Sequence, residues 1–269
     1  MSTAQSARAA ARRAADHPML DRLARVGLAC RGVLYALIGV LAIQIALGGG
    51  AGEQADKGGA ITTVAELPFG AVLLWVMVAG FAALALWQAS EAIFSHQKAF
   101  DRVEAAGRSA VYVLIFSTLL SVLLAGRAAS EDEKSQDITG KLLDLPAGQW
   151  IVGAVGLGVI ALGVYWVWQG VAKKFREELN LGQMSARARS VMEKLGLAGY
   201  AARGAIAGLA GIFIVQAAIT HDKDKAGGID ATLHAFAETP AGPWLLVAVA
   251  VGLMLFAGYC FGESRWRRT

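Results

Sequence analysis

Apolar positions in this 269-residue chain gather into six runs, near residues 32–47, 69–90, 109–125, 150–168, 204–220 and 243–262. Polar, charged segments separate them. About 20 mainly apolar residues carry a helix across a ~30 Å hydrocarbon layer, and each run reaches that length once its interfacial residues are counted. Lipid offers the backbone no hydrogen-bond partners, so each run is predicted to be a helix that satisfies itself. No proline interrupts the interior of a run, and the glycines within them are ordinary in membrane helices.

The pattern repeats three times. Pro68, Pro146 and Pro240 each follow an acidic residue by two positions (Glu66, Asp144, Glu238) and precede a glycine by two (Gly70, Gly148, Gly242). Arg31, Arg108 and Arg203 keep step with them: the arginine intervals are 77 and 95 residues, the proline intervals 78 and 94. Two landmarks sharing one period mark tandem units. Each unit is expected to hold an arginine that opens a first apolar helix, an outer linker, and a second helix starting at the proline. The expected fold is an all-α integral membrane protein of six transmembrane helices. They form three parallel helical-hairpin repeats in a pseudo-threefold arrangement about the membrane normal. The expected divisions are a basic tail at 1–19, repeats at 20–98, 99–174 and 191–269, and a linker at 175–190, charged and helix-prone, expected to extend as an amphipathic segment.

Charge orients these elements. The N-terminal segment, 91–108, 169–203 and the C-terminus hold 19 Lys+Arg and 9 Asp+Glu; the three intervening linkers hold 6 and 12. Excess basic residues mark the cytoplasmic side, which predicts an inner-membrane protein with both termini inside. The overall charge of +4 therefore sums two faces of opposite sign and does not point to nucleic acid. Residues 1–19 lack the apolar centre of a secretory signal. Cys30 and Cys260 both fall near inner helix ends, which excludes a disulfide framework on the outer face.

Before each proline, apolar spacing predicts a short surface helix: Val64, Leu142 and Phe236 lie four residues upstream. The acidic ring Glu66, Asp144 and Glu238 suits the positive end of the next helix dipole, and proline suits its first turn. At the inner end, the positions 23 residues past each proline hold Glu91, Gln169 and Glu263. These are level with the arginines. The expected inner-face pairs are Arg31 with Glu91 and Arg203 with Glu263, each closing its own hairpin, with Arg108 and Gln169 forming a hydrogen bond in the second. Snorkelling of the arginines to headgroups is the competing reading.

The motif Gly-x-x-x-Arg-Gly-x-x-Tyr at Gly27 to Tyr35, a pre-proline linker and a second helix with a late aromatic resemble the domain of unknown function 1206 family. The second unit departs with Glu104 and Ser109, the third with Ala207 in place of the tyrosine. The resemblance implies tandem two-helix membrane units and no particular activity.

Chemistry is sparse. The central thirds of all six runs contain no Asp, Glu, Lys, Arg or His, whereas proton-coupled transporters place ionisable groups there. Asp230, His234 and Glu238 have metal-compatible spacing, but a solvated acidic face explains them better. There is no nucleophile elbow, phosphate loop or paired-cysteine motif, and no cofactor is expected. Glycines at 204, 208 and 211, and at 258 and 262, have the spacing of close helix contacts. The function expected is therefore a non-enzymatic scaffold or accessory subunit, with the bilayer and other membrane subunits as partners. The alternative is a passive ion or small-solute channel with a hydrophobic central constriction.

Overall fold

The computed structural model describes residues 18–47, 57–94, 99–125, 131–226 and 242–267. Among them are eight α-helices and no strand: α1 Pro18–Ala46, α2 Lys57–Glu66, α3 Gly70–Phe94, α4 Ala99–Ala125, α5 Glu131–Leu143, α6 Gly148–Val171, α7 Ala186–Thr220 and α8 Gly242–Trp266. Six (α1, α3, α4, α6, α7, α8) are long and apolar enough to cross a membrane. Their outward surfaces are apolar too, with Trp75, Leu114, Leu157 and Val164 exposed. Water would penalise such a surface and lipid does not. This is a multi-pass membrane protein.

The arginines do not open the first helices. Those helices begin at Pro18, Ala99 and Ala186, well before Arg31, Arg108 and Arg203. The preceding segments are rich in alanine and other good helix formers, and no proline interrupts them beyond Pro18 at the first helix's start. At 35 residues, α7 spans roughly 52 Å, far more than a hydrocarbon layer. It starts at a cap in which Ser185 Oγ accepts from the Ala188 N–H at 3.2 Å.

The short linker helices exist as α2 and α5, with Ile61, Val64 and Thr139 buried. The proline sits outside the next helix, in the turn before it. In both described copies the same bonds recur: Leu67 and Leu145 donate to the carbonyls of Val64 and Leu142, and Gly70 and Gly148 to those of Leu67 and Leu145. Phe69 and Ala147 take left-handed backbones, φ 67° and 64°. A side chain on Gly70 or Gly148 would strike the Val64 or Leu142 carbonyl oxygen. Proline and glycine thus frame a tight corner between two helices.

The chain divides into two compact units. The first contains Met1–Arg31, Ile61–Ala128 and Glu263–Thr269; its centre is the packing of α3 on α4, with Met77, Phe81, Leu84 and Leu119 fully buried. The second contains Gly32–Ala60 and Ala129–Gly262, built on α6 against α7. There the segment after α6 is not a continuous amphipathic helix. It forms two 3-10 turns, Lys174–Glu178 and Leu181–Gln183, held by an aromatic core: Phe175 stacks on Tyr200 at 5.6 Å and meets Tyr259 edge-on at 5.5 Å.

One helix contact recurs at equivalent repeat positions. In the second unit, a Cβ on Gly32 would lie 3.1 Å from the Ala257 carbonyl oxygen, and one on Gly204 would lie 2.5 Å from that of Gly163. In the first unit, the Ser109 hydroxyl donates to the Ala85 carbonyl at 2.9 Å. The donor-side residues each follow a repeat arginine by one; Ala85, Gly163 and Ala257 each follow a repeat proline by 17. Two turns further along, Gly39 faces Ala250 and Met254 as Gly211 faces Gly156 and Ile160. In every case the second helix of one repeat packs on the first helix of the next, the third repeat serving the first.

Candidate functional site

In the first unit, α1 presents Arg31, the end of α8 presents Glu263, and the residue following α8 is Arg267. Arg31 Nη2 lies 2.5 Å from Glu263 Oε2, and Arg31 Nη1 donates to the Tyr112 hydroxyl at 2.8 Å. The other carboxylate oxygen, Glu263 Oε1, accepts from Arg267. Arg267 in turn lies 4.3 Å over the Trp87 ring. The side chains of Arg31, Glu263 and Arg267 are 13%, 1% and 8% exposed. Two guanidiniums thus clamp one carboxylate in a largely dry site, where each interaction is stronger than in water and a missing partner is expensive.

This corrects the expected pairing. Arg31 meets Glu263, not Glu91, and Arg203 does not meet Glu263. Glu91 is half-buried and has no ion-pair partner among the described residues. The reason lies in the helix contacts: at this level α1 packs on α8, the second helix of the third repeat, so the register-matched carboxylate comes from there. Sequence adjacency alone would close each hairpin on itself, with the wrong carboxylate.

Arg108 also departs from expectation. It pairs with Glu104 one turn back on α4, at 2.5 Å. Gln169 instead donates to Tyr165 at 3.0 Å. In the two repeats whose arginine reaches across, it reaches the tyrosine position of the following repeat: Arg31 binds Tyr112, and Arg203 lies 5.5 Å from the Tyr35 ring. The corresponding position for Arg108 is Ala207, which offers no ring and no hydroxyl. Glu104 supplies a local carboxylate where the other repeats have Gly27 and Gly199.

In the second unit, Arg203 sits among rings. Its Cζ stands 4.2 Å from Trp166, 4.5 Å from Phe256, 5.5 Å from Tyr35 and 5.9 Å from Tyr200. Cation–π attraction holds it there. In the linkers before the prolines, Glu66 and Asp144 are exposed, while Glu238, with Asp230 and His234, lies outside the described residues. Sequence reasoning missed Arg267, although its i, i+4 spacing from Glu263 was the available signal. It also missed Trp87 and Trp166 as cation partners, and no spacing rule would have found them.

A bundle of tandem two-helix membrane repeats, with a charged cluster at the helix ends level with the repeat arginines, is the class these features define. The chain belongs to the family described as Domain of Unknown Function (DUF1206), whose model matches residues 26–95, 103–173 and 198–267. It is similar to an uncharacterized protein, YxxB, of Bacillus subtilis (strain 168). The two are 29% identical over 249 residues, covering 90% of this chain and 89% of that protein. No solved structure matches.

Proposed function

We propose that this protein is a non-enzymatic scaffold or accessory subunit of a membrane complex in the cell's inner membrane, with both termini cytoplasmic. The observation that carries this reading is the buried clamp of Arg31 and Arg267 on Glu263. It joins residues of the first and last repeats and holds one carboxylate through both oxygens between two guanidiniums, the arrangement of a locked structural element rather than a transport relay. Helix polarity supports the same reading. Ser117 and Thr118 both donate to the carbonyl of Leu114 in their own helix, at 2.8 and 2.9 Å, so neither hydroxyl needs a permeating ion or substrate. We further propose that the three repeats are related by rotation about an axis along the membrane normal. The recurrence of one contact at equivalent positions, Gly32 with Ala257, Ser109 with Ala85 and Gly204 with Gly163, supports this.

The test is flux and association measured on the same preparation. Purified protein in liposomes is expected to pass neither monovalent ions nor small neutral solutes above the empty-vesicle rate. Mild detergent extraction from the native membrane is expected to retain a stoichiometric membrane partner. Reproducible flux abolished by a bulky substitution would establish the channel instead.

A further inference from the structure

Arg203 differs from the other two repeat arginines in one chemical respect. Arg31 has a carboxylate in Glu263, and Arg108 has one in Glu104. The position in the Arg203 register that corresponds to Glu263 is Gln169, a neutral amide already donating to Tyr165. Among the described residues Arg203 has neither a carboxylate nor a hydrogen-bond acceptor. Its contacts are the rings of Trp166, Phe256, Tyr35 and Tyr200. Ring faces attract a cation but are poor acceptors for its five N–H donors. Arg203 is half-buried as a residue, so it is not sealed from solvent or a ligand.

Depth narrows the ligand. Arg203 lies 17 residues before the end of α7 at Thr220, roughly 26 Å along the axis. Trp166 lies 18 residues after the start of α6 at Gly148, roughly 27 Å. Both are therefore about one hydrocarbon thickness from the outer linkers, at the opposite boundary of the membrane. The anions concentrated at that level are lipid phosphates. A guanidinium fixed by aromatic contacts has lost little further freedom when it binds, and its planar fork matches phosphate oxygens in a bidentate way that an ammonium does not.

From these observations we infer that Arg203, walled by Trp166, Phe256, Tyr35 and Tyr200, is a binding site for the phosphate of an anionic phospholipid headgroup. Free inorganic phosphate shares the chemistry, so the experiment separates the two. Full-length protein in non-ionic detergent is titrated with short-chain phosphatidylglycerol, with phosphatidylcholine of the same chains, and with inorganic phosphate, and binding is followed by native mass spectrometry. The expected result is preferential retention of phosphatidylglycerol. Arg203→Gln lowers its affinity about tenfold or more, the loss of a charge-assisted contact. Arg203→Lys gives an intermediate loss with an unchanged melting temperature, and decides the matter if the glutamine variant fails to fold. Equal binding by wild type, Arg203→Lys and Arg203→Gln overturns the site, and equal retention of the two lipids overturns its assignment to an anionic phospholipid. Displacement of the lipid by inorganic phosphate at equal concentration overturns the headgroup assignment in favour of a soluble anion.

Discussion

Glu263 is the most buried carboxylate among the described ion pairs. It is 1% exposed and is bound through both oxygens, by Arg31 and by Arg267. Glu263→Gln keeps the shape but leaves two largely buried guanidiniums short of their anion, and removing one partner from a buried pair costs roughly 3–5 kcal/mol. The melting temperature of the purified protein is expected to fall accordingly. Glu91→Gln, by contrast, is expected to change stability by no more than about 0.5 kcal/mol, as surface substitutions away from such networks do. Arg31→Glu is expected to be severe and not to be rescued by Glu91→Arg; rescue would mean that the hairpin closes on itself. Both pairings were available in the sequence, because Glu91 and Glu263 occupy the same repeat position. Only the packing of α1 against α8 separates them.

At the scale of the helix, the glycines divide by what lies opposite them. Gly204 and Gly211 on α7 face the backbone of α6, where a Cβ would come within 2.5 Å of the Gly163 oxygen and 2.7 Å of Ile160. A Cβ on Gly208 meets nothing within 4 Å. Their spacing of four and three residues predicts one contact face for all three; the Gly208 backbone does lie against Gly163, but the space for a side chain is closed only at the other two. Gly211→Val is therefore expected to destabilise by about 1–3 kcal/mol through overpacking. Gly208→Ala is expected to be neutral or stabilising by up to about 1 kcal/mol, since alanine is the better helix former. Thermal melts of the two variants side by side check this; a larger loss for Gly208→Ala would refute the contact assignment. The helix starts show the same limit of pattern reasoning. Hydropathy finds the apolar portion of α7 but not the polar turns before it, because helix propensity continues where hydrophobicity stops.

At the scale of the whole molecule, orientation is open to direct measurement. The basic segments place 19 Lys+Arg on one side and 6 on the other. Ala55→Cys and Lys225→Cys are expected to react with a membrane-impermeant maleimide in intact cells, and Glu177→Cys only after permeabilisation. Cys30 and Cys260 are both buried, so the background is expected to be low. Protection of both 55 and 225 would reverse the orientation.

Six spans, three tandem units and a helix boundary at each proline were legible without coordinates, although in both described copies the proline stands in the corner before the helix and not in its first turn. Each follows from a local rule: the length of an apolar run against lipid thickness, a period, the conformational limits of proline. The pairing of Arg31 with Glu263, the aromatic setting of Arg203 and the burial of Phe175 between Tyr200 and Tyr259 were decided only by tertiary structure. A tandem repeat presents the same residue at the same position several times. Sequence therefore defines the set of equivalent partners, and the packing of one repeat's second helix on the next repeat's first helix selects among them.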